Sequence, residues 1–541
     1  MSVSSNPGLS MVNVYDTIIE GGSVIDGTGA DAYYSDIGIK DDRIAAIGDL
    51  SSAQAAVRHD CRGLTVAPGF IDIHTHSDYT LLVDGRADSQ ICQGVTTEVI
   101  GQCGFSCAPL KRAAGARAVI GYVELGMDVT WRTFGEYLDR LEQARPAVNV
   151  AAFVGHGAIH RAVMGDDAKA PSESDLSAMV KLTEQAFDDG AKGLSTGLEY
   201  WPGSDAPIQE IEALTAVAAK RGGLYATHVR NRDVYYDLGF TEAVATARHA
   251  GAKLQISHIQ PKFGAPSQAM QHTLELLYRA KREGVDVAYD IIPHDWSHTV
   301  MVSVLPAWAR EGGATQTLAR LKDPVERERM KRNPRPIWRL VTERRWDDIV
   351  LLKSRVNADL IGLSFAQIGQ QRGVDPYDAV LDILLEEGQD MAAVMWTSRS
   401  FSDDDVCMCL RETDSMVMSD TLALTDRGPL NGTIGSLSGY GWTARLLGHY
   451  VRDRNIISLP EAVAKITSKP ADRIGLIDRG RIRAGALADI VVFDATVLQD
   501  RSSFLMPRRH PDGITHVWVN GIQVVHQGQR NDEQPGRVLR D

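Results

Sequence analysis

Short apolar runs, each ending at a polar or glycine-bearing turn, recur through the middle of the chain. Eight of them have the length and composition of buried parallel strands: FIDIH, VTTEVIG, VNVAAFVGH, GLSTGL, LYATH, KLQISH, VDVAYDI and MVMSD. Most are followed by a stretch with helical periodicity, such as SDLSAMVKLTEQAFDDGAKG. Alternating strands and helices predict an α/β fold, and eight such units fit a (β/α)8 barrel of the TIM type.

The two ends of the chain show a different pattern. Short alternating runs separated by Gly and Asp turns fill residues 1–66 and return over residues 479–541, as in ADIVVFDATVL and ITHVWVNGIQVVHQG. This texture is typical of β meanders. We expect the two ends to combine into one small β-sandwich domain, with residues 67–478 forming the barrel.

The spacing of the units predicts an insertion. His228 and His258 are 30 residues apart, close to the roughly 31 residues per unit of an ordinary barrel. From His258 to Asp420 the chain covers 162 residues, too many for the units that remain. The surplus lies at about residues 293–398, where RLKDPVERERMKRNPRP and DPYDAVLDILLEEGQDM have helical patterns. We expect a helical lid inserted over the barrel mouth.

Composition and charge limit the classes of molecule that the protein is expected to bind. A net charge of −13 argues against nucleic acid and anionic membranes, which both need a basic surface. No apolar run approaches the ~18 residues of a membrane span, and the N-terminus lacks a signal-peptide pattern. The six cysteines show no disulfide-like density, which favours the cytoplasm. A small-molecule partner fits this composition, and so does association of identical chains into a homo-oligomer.

Candidate metal ligands stand at the ends of several predicted strands. His74 and His76 form an H-x-H pair, and residues i and i+2 of a strand point to the same side, so both can reach one ion. Active sites of such barrels gather at the carboxyl ends of their strands. The full set of metal-competent residues at these ends is His74, His76, Cys103, His228, His258 and Asp420.

Each of these residues also has a plainer interpretation. His74 and His76 could be capped polar residues, and His228 and His258 could be core histidines. Cys103 alone would be a small apolar residue, but the glycines of QCGFSC place its sulfur at the barrel mouth. Asp420 ends an apolar strand, where burying an unpaired carboxylate is costly. A shared metal ion explains all of them together.

Further residues in the loops after the strands could line a substrate pocket. His156 and His294 each fit either a pocket-lining or a structural role. The complete set of candidate substrate-binding residues is His156, Tyr200, Arg230, Lys262, His294 and Arg427.

These motifs resemble the amidohydrolase superfamily and, more closely, the N-acyl-D-amino-acid deacylase (D-aminoacylase) family. The resemblance covers nearly the whole chain, through GFIDIHTHSD, QGVTTEVIGQCGFSCAPL, GHGAIHRAVMG, GAKGLSTGLEYWPG, ATHVRNR, QISH, LKDPVERERM, MSD and the closing AVAKITSKPADRIGLIDRGRIRAGALADIVVFD. It implies a zinc-dependent amidohydrolase that cleaves the amide bond of an N-acylated amine, such as an N-acyl-D-amino acid.

The resemblance also implies roles for the site residues. Cys103 takes the place of the bridging carbamylated lysine found in most two-metal relatives, and Lys192 lies at the wrong end of its strand for that role. Cys103, His228 and His258 would hold one tightly bound zinc ion. His74, His76 and Asp420 would form a second, weaker zinc site, and Asp420 would be the catalytic proton shuttle.

The chain departs from the family in its predicted substrate contacts. Gln260 stands where D-aminoacylases usually carry a lysine, and the tyrosines expected after the seventh strand are missing. Lys262, Arg427 or Arg230 could replace the grip on a substrate carboxylate. The alternatives are hydrolysis of another amide, an aryl or cyclic amide, an ester or a lactone on the same barrel, or a non-enzymatic scaffold. A scaffold would be expected to lose metal ligands, and all six are retained.

Overall fold

The structure is a computed structural model that describes residues 14–112, 127–165, 170–233, 235–310, 313–332, 339–432 and 436–540. Its centre is an eight-stranded sheet in which every neighbouring pair is parallel. The strands are Phe70–Asp72, Val95–Ile100, Asn149–Gly155, Gly193–Gly197, Leu224–His228, Lys253–Ile256, Val287–Ile291 and Ser415–Val417.

The first and last strands of this sheet meet just beyond their carboxyl ends. Thr75 and Thr421 form a parallel bridge, and the His76 N–H donates to the Thr421 carbonyl over 2.7 Å. The predicted (β/α)8 barrel is therefore confirmed, and each of the eight apolar runs contributes one strand.

Amphipathic helices surround the barrel. The helix Ala269–Arg282 buries Met270, Leu274 and Leu277, spaced three and four residues apart as one helical face requires. The α-helices outside the insertion are Thr80–Val83, Asp88–Ile91, Phe134–Ala144, His156–Met164, Glu173–Asp188, Ile208–Lys220, Tyr236–Ala250, Ala269–Arg282, Asp403–Arg411, Trp442–Ala444, Leu459–Lys465 and Ser468–Arg473, with 3-10 turns at Gly203–Asp205 and Leu437–Gly439 and a π-helix at Arg445–Asp453.

Strands from the two ends of the chain form one nine-stranded sheet. Ile490–Phe493 runs antiparallel to Thr65–Pro68, which joins the carboxyl-terminal strands to the amino-terminal ones. This sheet is the additional β structure that the sequence predicts beside the barrel. Its strands are Val14–Val24, Tyr33–Lys40, Arg43–Gly48, Gln54–Asp60, Thr65–Pro68, Ile490–Phe493, Ile514–Val519, Ile522–His526 and Gln529–Arg530.

The segment between the seventh and eighth barrel strands is not only helical, as expected from sequence, but also contains a sheet. Ser297–Val300 and Ile349–Lys353 both run antiparallel to the central strand Met395–Ser398. The helices are Ala307–Arg310, Gly313–Lys322, Pro324–Arg332, Arg339–Thr342, Phe365–Arg372 and Pro376–Glu387, with 3-10 turns at Met301–Val304, Trp346–Asp348, Ala358–Leu360 and Gly388–Ala393. Trp396 and Phe365 lie in a hydrophobic cluster that belongs to this segment.

A buried polar junction joins the nine-stranded sheet to the barrel. The Asp489 carboxylate forms an ion pair with Arg479 and accepts hydrogen bonds from the Asn520 N–H at 2.7 Å and the Asn149 side-chain amide at 3.3 Å. Asn149 begins the third barrel strand. Arg479 and Asp489 are each 4% exposed, so the two charges depend on each other for compensation.

We expect Arg479→Met to lower the free energy of unfolding by about 3 kcal/mol or more, because it leaves the Asp489 carboxylate buried without its cation. Arg481→Met is the matched control. Arg481 pairs with Asp472 near the surface, and its loss should cost less than about 1 kcal/mol. Urea unfolding followed by circular dichroism measures both values. Equal losses in the two variants would contradict the importance of this junction.

Candidate metal centre

Ligand-type side chains converge at the carboxyl ends of the barrel strands. Around the Cys103 Sγ lie three ring nitrogens: His74 Nε2 at 3.3 Å, His258 Nε2 at 3.4 Å and His228 Nδ1 at 3.7 Å. Asp420 adds its Oδ1 atom 3.5 Å from His74 Nε2. One ligand atom from each of His74, Cys103, His258 and Asp420 lies within 4.8 Å of all the others.

His76 completes the set and contacts the same Asp420 oxygen atom as His74. Its Nε2 atom lies 3.1 Å from Asp420 Oδ1, and its ring centroid is 5.4 Å from that of His74. The H-x-H pair therefore brings both rings to the same group of atoms. All six predicted ligand residues meet at this one place.

Three of the six residues have a backbone conformation that side-chain-bearing residues seldom adopt. Cys103, His258 and Asp420 have φ angles of 52°, 35° and 53°. Each such left-handed residue costs on the order of 1 kcal/mol or more, and strain of this kind concentrates at functional sites. Turning the chain sharply at these strand ends directs the side chains toward the cluster.

Glycines permit the tight approach of the backbones around Cys103. A Cβ atom on Gly197 would lie 2.0 Å from the Cys103 carbonyl oxygen, and one on Gly104 would lie 2.7 Å from the Gly197 nitrogen. The glycines of QCGFS and GLSTGL are therefore required by packing between the second and fourth units. They fix where the thiol stands.

The electrostatics of the cluster favour a thiolate. Burial alone would raise the pKa of Cys103, but the positive charges of His74 and His258 and hydrogen bonds from two imidazoles hold it well below the usual thiol range. Cys107, only four positions along the chain, has its pKa raised by burial without such partners. A thiolate is the form of cysteine that binds metals.

Asp420 is ionised as well. Burial would raise its pKa, but the hydrogen bond with His76 and the charges of His74 and His258 hold it well below the usual carboxyl range. Sulfur, imidazole and carboxylate donors are a set that zinc accepts. With a thiolate and a carboxylate at its centre, the cluster suits a divalent cation.

Glu199 orients one of the candidate ligands and was not recognised from sequence. Its Oε2 atom lies 2.8 Å from His228 Nε2, on the side of the ring away from Cys103. The Lys262 ammonium pairs with the same carboxylate and helps to hold the Glu199 pKa below its usual value despite burial. An N–H···carboxylate bond at Nε2 leaves the Nδ1 lone pair for a metal.

Asp290, at the end of the seventh strand, is a second residue that sequence reasoning missed. It accepts the His258 backbone N–H over 2.6 Å, and its Oδ1 atom lies 3.6 Å from His74 Nδ1. Glu199 and Asp290 both stand at carboxyl strand ends, so the rule of position that singled out the six ligands would also have found these two.

Two of the predicted substrate residues lie beside the cluster. The Tyr200 ring is centred 4.7 Å from the His228 ring and 5.3 Å from Phe105. His156 lines a small cavity together with Cys103 and Tyr200, while its Nε2 atom contacts Glu210 at 2.7 Å. Glu210 also contacts His160, so His156 has a structural partner as well.

The other four predicted substrate residues are placed differently. Lys262 adjoins the cluster through Glu199. Arg230 pairs with Glu242 and donates to backbone carbonyls of the Gly203–Asp205 turn. Arg427 forms an ion pair with Asp532 at an exposed position, and His294 contacts its neighbour Asp295 at 3.3 Å. The structure does not bring Arg230 or Arg427 to the candidate ligands, because both guanidinium groups have acidic partners elsewhere.

Comparison with known proteins places this architecture in a family. The model of the amidohydrolase family matches residues 59–354 and 416–525. The chain is 35% identical to an N-acyl-D-glutamate deacylase from Alcaligenes xylosoxydans xylosoxydans over 97% of this chain and 96% of that protein. It is 33% identical to a D-aminoacylase from the same organism over 97% of each.

Solved structures agree. The N-acyl-D-glutamate deacylase from Bordetella bronchiseptica, complexed with zinc and a phosphonate mimic of the tetrahedral intermediate, superposes with a TM-score of 0.81. It is 31% identical, over 98% of this chain and 100% of that one. The chain belongs to the amidohydrolase family, and the resemblance inferred from its motifs is confirmed.

In protein stripped of divalent cations, we expect the thiolate absorbance in the ultraviolet to persist well below the ordinary thiol pKa of about 8.5. Because the Cys103 pKa is lowered, the thiolate is present at every pH between this lowered pKa and the ordinary thiol pKa. The thiolate is lost only when the pH falls below the lowered pKa. Cys103→Ser should remove this signal. Cys107→Ser should leave it, and a signal that disappears in Cys107→Ser instead would contradict the electrostatic argument.

Proposed function

We propose that the protein is a zinc-dependent amidohydrolase that cleaves the amide bond of N-acyl-D-amino acids. The observation that carries this proposal is the group formed by the Cys103 thiol, the imidazoles and the Asp420 carboxylate at the barrel mouth. Three similar proteins described above also support the proposal: all three are named for removing acyl groups from D-amino acids, and one of them is complexed with zinc.

The donor atoms divide into two positions. By resemblance to the family, Cys103, His228 and His258 would hold the tightly bound zinc ion, and their sulfur and two nitrogens lie within 3.7 Å of one another. His74, His76 and Asp420 would form the second position, where a metal is held more weakly. Cys103 belongs to the first position and also contacts His74 of the second, so its sulfur could bridge the two positions.

Zinc bound at this cluster would lower the pKa of a water molecule and polarise the carbonyl of the scissile amide. Asp420 is ionised and stands at the mouth, so its carboxylate can take one proton from the attacking water. The oxygen adds to the amide carbon, the C–N bond breaks, and Asp420 returns the proton to the leaving nitrogen. The products are a carboxylic acid and a free amine.

Two buried cationic side chains lie close to the cluster. Lys262 pairs with Glu199, and the Arg232 guanidinium donates to the His258 carbonyl. Lys262 is 7% exposed and Arg232 is 4% exposed, so both charges act in a poorly solvated environment. These two cations would attract a substrate that carries a free carboxylate.

A second candidate substrate class is a neutral amide, such as an aryl amide. It is favoured by the placement of Arg230 and Arg427 in ion pairs away from the cluster and by Gln260, whose side chain bonds the Ile292 backbone at 2.7 and 3.1 Å. None of these three side chains is positioned to grip a carboxylate.

The proposal also includes the cellular compartment in which the protein works. Within the described residues no helix is long and apolar enough to cross a membrane. All six cysteines are free thiols, and Cys103 must stay reduced to bind a metal. We therefore assign the protein to the reducing cytoplasm.

Amine release from matched compounds tests the proposed function. We expect the zinc-loaded protein to cleave N-acetyl-D-glutamate or N-acetyl-D-methionine, and to be at least tenfold slower on the L-enantiomers and on the corresponding carboxamides. Preference for the carboxamide or for an N-acyl aryl amine would favour the neutral-amide alternative. No cleavage of any compound by the zinc-loaded protein would contradict the proposal.

Asp420→Asn should separate chemistry from metal binding. We expect kcat to fall by about 10²-fold or more, because the amide cannot accept the proton, whereas the zinc held by Cys103, His228 and His258 should remain. Metal analysis and steady-state kinetics on the same sample check both parts. Asp426→Asn, at a carboxylate that pairs with His510 outside the cluster, is the control and should keep kcat. Unchanged kcat in Asp420→Asn would exclude the shuttle role.

A further inference from the structure

Three histidines meet on the nine-stranded sheet, and one of them, His59, is far in the sequence from the other two, His516 and His526. His59 lies in the strand Gln54–Asp60, His516 in Ile514–Val519, and His526 ends Ile522–His526. None of them forms a sequence motif with the others. Folding brings them together because the amino-terminal strand and the carboxyl-terminal hairpin belong to the same sheet.

The rings are close enough to share one ion. Their centroids are separated by 5.1 Å between His59 and His516, 5.2 Å between His516 and His526, and 5.6 Å between His59 and His526. One ring nitrogen of each lies within 4.8 Å of one ring nitrogen of both others. This is a three-imidazole arrangement that small side-chain rotations can close around a metal.

The surroundings orient the rings. The Gln523 side-chain amide lies 3.1 Å from His516 Nδ1, and the Gln527 N–H is 3.4 Å from the same atom. The fully buried Trp518 ring packs edge-on against His59 at 5.3 Å and lies 5.7 Å from His516. These contacts hold the His516 and His59 rings in place beside the Trp518 ring.

The exposure of the three residues leaves one side open. His59 and His516 are 8% and 6% exposed, whereas His526 faces solvent. A metal can therefore enter from the side of His526.

We propose that His59, His516 and His526 form a second metal site, separate from the barrel mouth, that binds zinc or another divalent ion that prefers imidazole ligands. Three nitrogens with a solvent molecule in the fourth position complete the tetrahedral geometry of zinc. An ion held there links a strand of the amino-terminal segment to the carboxyl-terminal hairpin. It stabilises the folded chain, because the unfolded chain does not bring these ligands together.

Zinc counting tests the site in the whole protein. Wild type and the variant His59→Gln/His526→Gln are dialysed against the same micromolar free zinc, and bound metal is measured by plasma mass spectrometry. We expect the wild type to hold about one zinc equivalent more than the variant. We also expect zinc to raise the melting temperature of the wild type more than that of the variant. The same zinc content in both proteins would overturn the proposal.

Three further variants keep the test specific. His249→Gln removes an exposed histidine that pairs with Glu212, and it should retain the wild-type zinc content. The single variant His526→Gln changes only the solvent-facing ligand, so it should fold even if the double variant does not, and it should bind this zinc at least tenfold more weakly. Cys103→Ala should still bind zinc at the histidines, which separates this site from the one proposed for catalysis. Loss of all zinc from Cys103→Ala would also overturn the proposal.

Discussion

A thiolate and a carboxylate held within a few ångströms of each other are the constraint on which the site depends. Cys103 and Asp420 both touch His74, and both have pKa values held below their usual ranges by the imidazoles around them. Two anions in a poorly solvated place need positive charge nearby. His74 and His76, whose pKa values are raised despite burial by the anionic groups around them, supply it as protons in the metal-free protein, and a divalent cation can replace those protons.

The barrel satisfies this constraint by the position of its strand ends. Parallel strands bring their carboxyl ends to one face, so ligands far apart in the chain become neighbours. Left-handed turns at Cys103, His258 and Asp420 then direct the side chains inward, and Gly197 permits the close approach behind Cys103. Part of the stability gained by burying the barrel strands offsets the strain of these turns.

The sequence predicts the barrel and the family because both depend on local patterns. An apolar run followed by a turn indicates a strand end, and strand ends are where ligands stand. For this reason the sequence alone singles out His74, His228 and Asp420. The strand Ile349–Lys353 in the insertion was missed, because a short apolar run between helices has no periodicity that separates strand from helix.

Contacts between side chains that are distant in sequence could not be predicted from the sequence either. Arg230 and Arg427 are plausible substrate ligands by position, but their partners Glu242 and Asp532 appear only in the folded chain. Glu199 follows the fourth strand, so its position at a strand end could have marked it as a site residue, as it marked the ligands. Its contact with His228, however, depends on the fourth and fifth strands being adjacent in the sheet. His59 and His516 are 457 positions apart (516 − 59), and no local pattern connects them.

The central claim is that a cysteine thiolate shares a metal with imidazoles at the barrel mouth. X-ray absorption at the zinc edge tests it most directly, in His59→Gln/His526→Gln protein, so that the signal comes from the mouth alone. The account predicts a sulfur scatterer at about 2.3 Å together with nitrogen from imidazole at about 2.0 Å, and loss of the sulfur contribution in Cys103→Ser. A zinc shell of nitrogen and oxygen alone, the same in both proteins, would contradict it.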